Sequence, residues 1–294
     1  MIITKTPFRM SFFGGGTDME EYFKENGGAV LSTSFDKYCY VNVRHLPPFF
    51  QYSTELSYSK TERVNSLDEI QHPAIREAMR MLNMQEIRLM YEADLPARSG
   101  LGTSSSFAVG MLHAFHALKG KYVDKKTLAD QAIHLERVLC KEAGGWQDQI
   151  AASFGGLNRI DFSAEGYRVS PILISPERKQ RLNENLMLFF TGFTRFSSEI
   201  QKANQSSSPE DKNALLREMR ALVDEGADIL CSKGRDLDDF GRLLHSTWEL
   251  KRKTAKSIST DSIDQLYEIG MRAGALGGKL LGAGGGGFLL FYVE

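Results

Sequence analysis

The sequence has no excess of basic charge and few cysteines, and each shortage excludes a class of protein. Its 36 lysine and arginine residues stand against 37 aspartate and glutamate residues, for a net charge of −1. The strongly basic surface typical of nucleic-acid-binding proteins is therefore missing. The three cysteines, Cys39, Cys140 and Cys231, are odd in number and far apart, which argues against a disulfide framework or a zinc site and favours a reducing compartment.

Targeting and membrane segments are missing as well. The opening residues, MIITKTPFRMSFFGGG, contain no apolar region of the signal-peptide type. No run of the chain is apolar for long enough to span a bilayer. We therefore predict a cytoplasmic protein that has neither nucleic-acid nor membrane partners.

The length and composition do allow a sizeable core. A chain of 294 residues with 42% hydrophobic content predicts one large or two modest domains. Residues 163–171, SAEGYRVSP, mix glycine, proline and polar residues, which is typical of a boundary. We predict an N-terminal domain over residues 1–165 and a C-terminal domain over 166–294.

Periodicity predicts a mixture of strands and helices. Residues 38–44 alternate between apolar and polar side chains, as a half-buried strand does. Proline at position 73 suits the first turn of a helix. Further strands are predicted at 52–60, 87–93, 157–162 and 186–190, and helices at 73–83, 104–120 and 124–140. The fold class is therefore α+β.

One loop stands out because it is bare and polar directly before a helix. Gly100 and Gly102 allow the backbone to approach a ligand, and Thr103, Ser104 and Ser105 add hydroxyl groups. The free N–H groups and positive dipole at a helix start favour an anion such as a polyphosphate. The loop lacks the spacing and the lysine of a Walker A sequence. A serine-rich N-cap behind a glycine turn is the alternative.

Three other glycine-rich segments favour the ligand over the simple turn. They are 7-PFRMSFFGGGTD-18, 144-GGWQDQIAASFGG-156 and 282-GAGGGG-287. Structural turns explain any one of them, but several together indicate that backbone converges on one bound molecule.

Three of these segments resemble motifs of the GHMP kinases, the superfamily of galactokinase, homoserine kinase, mevalonate kinase and phosphomevalonate kinase. PFRMSFFGGGTD is similar to the first motif, PARSGLGTSSS to the second and KLLGAGGGGF to the third, in the family's order. The resemblance covers nearly the whole chain. It implies an N-terminal ribosomal-protein-like domain with a left-handed β-α-β crossover, a C-terminal ferredoxin-like domain, and a site between them.

The resemblance also implies functional residues. Asp148 matches the family's catalytic aspartate and would accept the proton of the attacking hydroxyl. Arg9 matches the basic residue of the first motif and would offset charge on the transferring phosphoryl group. By position alone, Asp148 is a helix-capping aspartate and Arg9 a solvent-facing strand residue.

The remaining implied contacts are to ATP, Mg²⁺ and a sugar phosphate. Ser104 and Glu136 match the family's metal-side residues, although a salt bridge is the alternative for Glu136. The expected ATP-binding residues are Gly100, Leu101, Gly102, Thr103, Ser104, Ser105, Gly284 and Gly285. The expected sugar-binding residues are Gly14, Gly15, Gly16, Thr17, Asp18 and Arg195. Arg44, His45 and Lys251 are further candidates for holding a substrate phosphate.

Within the family, FFGGGTD, WQDQ, 191-TGFTR-195 and 273-AGALGGKLLGAGGGG-287 are most similar to kinases that phosphorylate the anomeric hydroxyl of heptose 7-phosphate. L-Fucokinases carry a related GGGTD segment and are the first alternative. A sensor that binds sugar and ATP without turnover is the second. Family members usually continue to a closing strand after the third motif, whereas this sequence ends at Glu294.

Overall fold

The computed structural model describes residues 1–193, 209–255 and 257–294. The strands are β1 (Ile2–Phe13), β2 (Gly28–His45), β3 (Thr54–Ser57), β4 (Thr61–Val64), β5 (Ile87–Ala93), β6 (Leu157–Ser163), β7 (Gly166–Pro171), β8 (Leu186–Phe190), β9 (Ala275–Leu280) and β10 (Phe288–Val293). The α-helices are α1 (Glu20–Asn26), α2 (Pro73–Met81), α3 (Thr103–Leu118), α4 (Lys125–Ile133), α5 (Gln147–Phe154), α6 (Pro176–Glu184), α7 (Pro209–Cys231), α8 (Asp238–Thr254) and α9 (Asp261–Arg272).

The first sheet has seven strands arranged around the long strand β2. Its order is β4-β3-β5-β2-β6-β7, and β1 also pairs with β2. Strands β5 and β6 are both antiparallel to β2 and therefore parallel to each other. The helices α3, α4 and α5 lie between β5 and β6 in the chain, so they form the β-α-β crossover of this domain. This agrees with the expected α+β class.

The second sheet is antiparallel and smaller. Strand β10 lies between β8 and β9, and β9 packs against α8 and α9. Trp248 on α8, Tyr267 on α9 and Phe291 on β10 are buried in one apolar cluster. Both helices and strands β9 and β10 thus contribute apolar side chains to a common core, as in an α/β domain.

Strand β1 connects the two layers. The rings of Phe12 and Phe13 meet Phe240 on α8 edge to face, with centroids 5.1 and 5.0 Å apart. The Lys279 ammonium on β9 donates to the carbonyl oxygens of Ser11 at 3.0 Å and Phe12 at 2.8 Å. Aromatic packing therefore fixes α8 against β1, and two hydrogen bonds from Lys279 fix β9 against the same strand.

Strand β7 is the last strand of the first sheet along the chain, and β8 is the first strand of the second sheet. Strand β7 pairs with β6 along its whole length, from Ser163 opposite Gly166 to Asn158 opposite Pro171. The boundary expected between residues 165 and 166 thus lies in the turn of a hairpin. Because hairpin strands share their backbone hydrogen bonds, we propose that the N-terminal unit continues to Pro171, where proline suits the end of an edge strand.

The helices range from seven residues in α1 to 23 in α7. None of those in the described ranges is both long and apolar enough to cross a membrane.

Candidate active site

The loop before α3 ends in an uncapped helix N-terminus. Gly100 and Gly102 have φ angles of +80° and +72°, a region that glycine adopts without strain. Helix α3 begins at Thr103, and its N-cap residue, Gly102, offers no side-chain acceptor. The N–H groups of the first turn are therefore free to bind an anion at the positive end of a 16-residue helix.

This loop is fixed from two sides. The buried residue Leu101 accepts a hydrogen bond from the backbone N–H of Arg9 at 3.1 Å. A Cβ on Gly100 would lie 2.5 Å from the carbonyl oxygen of Leu281, and one on Gly282 would lie 2.4 Å from the Cα of Gly100. The loop before α3 and residues 282–287 are therefore in direct backbone contact, and their convergence on one bound molecule stays a prediction.

Within residues 282–287, Gly284 and Gly285 pack against Ile258, whereas a Cβ on Gly287 would lie 2.3 Å from the Ser99 carbonyl oxygen in the loop before α3. A Cβ on Gly284 would lie 2.9 Å from the backbone of Ile258, and the N–H of Gly285 donates to the Ile258 carbonyl at 2.9 Å. The Gly285 N–H is thus already used within the protein. These contacts of Gly284 and Gly285 shape this segment, and their contact with ATP stays a prediction.

Arg9 and Asp148 form a bidentate ion pair beside Gly102. The Nε and one terminal nitrogen of Arg9 donate to the two oxygens of Asp148, both at 2.8 Å. The other terminal nitrogen donates to the Gly100 carbonyl at 2.7 Å. A Cβ on Gly102 would lie 3.1 Å from Arg9 Cγ and 3.6 Å from the Asp148 carboxyl carbon. Strand β1, helix α5 and the loop before α3 thus meet at one point.

Asp18 is a second carboxylate at this site and is almost fully buried. It accepts from the N–H groups of Gly16 at 2.9 Å and Gln147 at 3.3 Å. Burial raises the pKa of Asp18, and the nearby Asp148 charge raises it further. A Cβ on Gly145 would lie 1.9 Å from an Asp18 oxygen. Gly145 is thus required by the site, and the adjacent glycines of 144-GGWQDQ were the sequence signal for it.

The glycines of the first motif have separate roles. A Cβ on Gly14 would lie 1.9 Å from the Ala29 carbonyl, so this glycine serves the contact with β2. A Cβ on Gly16 would touch Leu216 at 3.1 Å. Gly15 alone of the three faces polar side chains, since a Cβ there would lie 3.8 Å from Ser11 Oγ and 4.0 Å from Gln147 Nε2.

Thr17 links the first-motif glycine loop to strand β2. Its side chain is fully buried, and its hydroxyl lies 2.8 Å from the carbonyl oxygens of both Gly14 and Ala29. The same hydroxyl accepts from the Ala29 N–H at 3.1 Å. Thr17 therefore holds the loop on β2, and its contact with a sugar stays a prediction.

Glu136 lies buried opposite the start of α3. Its two oxygens accept from the hydroxyls of Ser104 at 2.9 Å and Ser105 at 2.6 Å, and Gln149 also donates to it. Ser105 is itself buried, so its hydroxyl orients the glutamate rather than facing a ligand. Arg137 is 3.9 Å away, a weak version of the salt bridge kept as the alternative.

The backbone around Glu136 departs from the expected helix. The predicted helix over 124–140 is α-helical only to Ile133 and continues as a π-helix from His134 to Leu139. A π-helical turn inserts an extra residue and is frequent at functional sites. Here it turns Glu136 toward the serines of α3, which the apolar periodicity of the sequence did not indicate.

Comparison with known proteins explains this arrangement. The family model for the GHMP kinases N terminal domain matches residues 70–156, and the model for GHMP kinases C terminal matches residues 214–293. Together they span more than half of the chain. This chain is a GHMP kinase. It is therefore a phosphotransferase, and its two-domain α+β architecture is that of the family.

Individual relatives cover the whole chain. The GHMP kinase described here is 26% identical to D-glycero-alpha-D-manno-heptose 7-phosphate kinase of Campylobacter jejuni, over 100% of this chain and 89% of that protein. It is 27% identical to L-fucokinase/L-fucose-1-P guanylyltransferase of Bacteroides fragilis, over 97% of this chain but 34% of that protein. The crystal structure of a D-glycero-D-manno-heptose 1-phosphate kinase from Bacteroides thetaiotaomicron superposes with a TM-score of 0.79 at 24% identity, covering 100% and 89% of the two chains.

The donor set of this GHMP kinase fits Mg²⁺. The Ser104 hydroxyl and the nearer Glu136 oxygen are 2.9 Å apart, about the separation of two adjacent ligands in an octahedral Mg²⁺ site with 2.0–2.1 Å bonds. Within the described ranges no group of three His, Cys, Asp or Glu side chains could hold a metal. Mg²⁺ typically takes only one or two protein oxygens, with phosphates and water completing its coordination.

The basic residues predicted to hold a substrate phosphate differ in their distance from the site. Arg195 lies outside the described residues. On β2, Ser34 pairs with Arg9, and Arg44 comes ten residues later. Arg44 therefore lies about 30 Å along the strand from the site. His45 follows it. Lys251 is the candidate that the fold brings to the site, where its ammonium donates to the carbonyl of Gly282, which lies against Gly100.

Proposed function

We propose that this GHMP kinase transfers the γ-phosphoryl group of ATP to the anomeric hydroxyl of a sugar phosphate. D-glycero-D-manno-heptose 7-phosphate is the proposed acceptor and the 1,7-bisphosphate the product, for the synthesis of nucleotide-activated heptose. The observation that carries this proposal is the Arg9–Asp148 pair, which lies against Gly102 at the uncapped start of α3.

The nucleotide would place its phosphates at the start of α3. The free N–H groups there attract negative charge, and Gly100 and Gly102 keep the backbone bare. Ser104 and Glu136 would hold Mg²⁺, which supplies positive charge to the nucleotide phosphates. Ser105 and Gln149 keep the Glu136 carboxylate in place through their hydrogen bonds.

The sugar would lie against the first glycine segment. Asp18 would accept hydrogen bonds from ring hydroxyls, and Gly15 would leave room for the ring. Within the part of the chain that the structure describes, the buried Ser11 hydroxyl and the Gln147 side-chain oxygen have no hydrogen-bond partner. Buried polar atoms normally have partners, so these two atoms support a polyhydroxyl ligand at this place.

The reaction itself is a direct displacement. The anomeric oxygen bonds to the γ-phosphorus while the bond from that phosphorus to the β,γ-bridging oxygen breaks, and ADP leaves. Asp148 takes the proton of the anomeric hydroxyl, since two of its four acceptor sites remain beside those used by Arg9. Arg9 orients this carboxylate and adds positive charge near the transferring group.

A panel of acceptors tests this proposal. The purified protein is given ATP and Mg²⁺ with heptose 7-phosphate, unphosphorylated heptose or L-fucose, and phosphorus NMR identifies the phosphorylated carbon. Phosphorylation at carbon 1 of heptose 7-phosphate is expected. Fucose, favoured by the similarity to the fucokinase from B. fragilis, is the rival acceptor, and turnover of fucose alone would replace heptose 7-phosphate as the substrate.

A further inference from the structure

Lys251 is a cation at the cleft to which the reaction above assigns no role. It lies near the end of α8, half-buried, and its ammonium donates to the carbonyl oxygens of Leu280 at 3.3 Å and Gly282. These carbonyls lie where β9 passes into the third glycine segment. An ammonium has three donors, so one N–H remains after both carbonyls have been served.

The position of Lys251 relates it to Arg9. Arg9 binds the carbonyl of Gly100, Lys251 binds the carbonyl of Gly282, and these two glycines are in contact. The two cations therefore bind backbone carbonyls on either side of the contact between the loop before α3 and residues 282–287. Since the loop of Gly100 leads into the uncapped start of α3, Lys251 lies beside the proposed path of the phosphates.

The charge of Lys251 is not neutralised as that of Arg9 is. Arg9 is paired with Asp148. Within residues 1–193, 209–255 and 257–294, no carboxylate oxygen lies 4.0 Å or less from the Lys251 ammonium. Burial lowers the pKa of Lys251 to about 8, the Arg9 charge lowers it too, and Asp18 acts in the opposite direction. A partly buried cation without an anion beside it loses part of its hydration, and a bound anion would offset this loss.

We propose that Lys251 donates its remaining N–H to a phosphoryl oxygen in the complex with both substrates. This inference rests on the proposed kinase reaction and adds a second cation to it. The ligand chemistry is a phosphate dianion, which has two sources here: the terminal phosphate of the nucleotide and the phosphate that the sugar already carries. A carboxylate of the protein is not the partner, because none in the described ranges lies within 4.0 Å of the Lys251 ammonium.

Calorimetric titration of variants tests this assignment without requiring turnover. Lys251→Met removes the charge, Lys251→Gln keeps a hydrogen-bond donor for the carbonyls, and Lys251→Arg keeps the charge. Lys253→Met is the matched control, since Lys253 is exposed on the same helix. The probes are AMP-PNP, ADP, heptose 7-phosphate and unphosphorylated heptose, and thermal unfolding checks that each variant is folded.

The probes separate the two sources of phosphate. If the nucleotide supplies it, the Met and Gln variants lose about tenfold or more in affinity for AMP-PNP but bind ADP as before. If the sugar supplies it, the same loss affects heptose 7-phosphate but not heptose. Lys251→Arg is expected to retain affinity in both cases. Affinities within twofold of wild type for every probe that wild type binds would overturn the assignment.

The same experiment distinguishes this inference from the kinase proposal. A wild-type protein that phosphorylates none of the acceptors would remove the proposed reaction. A loss of AMP-PNP affinity in Lys251→Met would still establish Lys251 as a phosphate ligand, whereas unchanged affinity would remove Lys251 even if heptose 7-phosphate is turned over.

Discussion

Asp148 accepts two parallel hydrogen bonds of 2.8 Å from Arg9, and the third arm of the same guanidinium holds the Gly100 carbonyl. One planar group thus joins the carboxylate proposed as the base to the loop proposed to bind phosphate. This fork geometry is specific to arginine, and the predictions below follow from it and from the contacts around it.

Arg9→Lys tests the fork geometry separately from the charge. A lysine keeps the positive charge but cannot bind both Asp148 oxygens and the Gly100 carbonyl in one plane. We expect kcat to fall about 10- to 100-fold, the worth of one or two charge-assisted hydrogen bonds, with little change in ADP affinity. Steady-state kinetics measures this. Arg63→Lys, on an exposed arginine paired with Glu55, is the control, and an equal loss there would contradict the account.

Gly100→Ala tests the contact between the glycine loops. The added Cβ would meet the Leu281 carbonyl at 2.5 Å, in addition to the cost of about 1–2 kcal/mol for a left-handed alanine. Gly120→Ala carries the same backbone cost at φ +66° with nothing within 4 Å. We therefore expect Gly100→Ala to lower the free energy of unfolding more than Gly120→Ala and to weaken AMP-PNP binding. Equal losses in the two variants would show that the loops do not depend on each other.

Glu136→Gln and Ser104→Ala test the proposed Mg²⁺ ligands. Replacing a carboxylate by an amide removes the charge that attracts the cation. The Mg²⁺ concentration for half-maximal rate is expected to rise about tenfold or more in Glu136→Gln, and less in Ser104→Ala. A magnesium titration at fixed ATP measures both. Glu20→Gln, on an exposed glutamate paired with Lys24, should leave it unchanged, and an unaltered requirement in Glu136→Gln would assign that residue to structure alone.

The raised pKa of Asp18 predicts an acid limb in the pH profile. Because burial and the Asp148 charge place the folded pKa above 3.8, Asp18 gains its proton at a higher pH than an exposed aspartate. A protonated Asp18 loses acceptor capacity, so kcat/KM for the sugar falls as pH drops through the raised value. For this carboxyl, folding stability changes in the opposite direction, since the folded state favours the protonated form.

Asp18→Asn provides the check on this assignment. The residual kcat/KM of that variant is expected to lose the acid limb while the pH dependence of thermal unfolding becomes flatter. An acid limb at the same pH in Asp18→Asn would show that another group controls it.

The sequence predicted the elements and the loops better than the contacts within them. Strand β5 coincides with the predicted 87–93, because apolar alternation and strand geometry share a period of two. The glycine loops were recognisable because bare backbone before a helix has few other uses. Strand β7 was read as a boundary, since Gly166 and Pro171 are also turn residues.

Other features depend on neighbours that local sequence does not specify. Thr17 carries a hydroxyl suited to a sugar, yet β2 lies against it and its hydrogen bonds go to Ala29. Gly145 is required because Asp18, far away in the chain, fills the space of its side chain. The π-helical turn at Glu136 leaves no periodic signature in the sequence. Lys251 was one of several basic candidates for a substrate phosphate, and only the fold shows that its ammonium binds the Gly282 carbonyl.

The most direct test of the central claim is the rate of phosphoryl transfer by Asp148→Asn, measured beside its affinity for AMP-PNP. Asparagine keeps the shape of the side chain but cannot take the proton, so kcat is expected to fall at least about 100-fold while AMP-PNP binds within threefold of wild type. Asp130→Asn, at an exposed carboxylate on α4 that binds Lys126, should retain full activity. Wild-type turnover by Asp148→Asn would contradict the account.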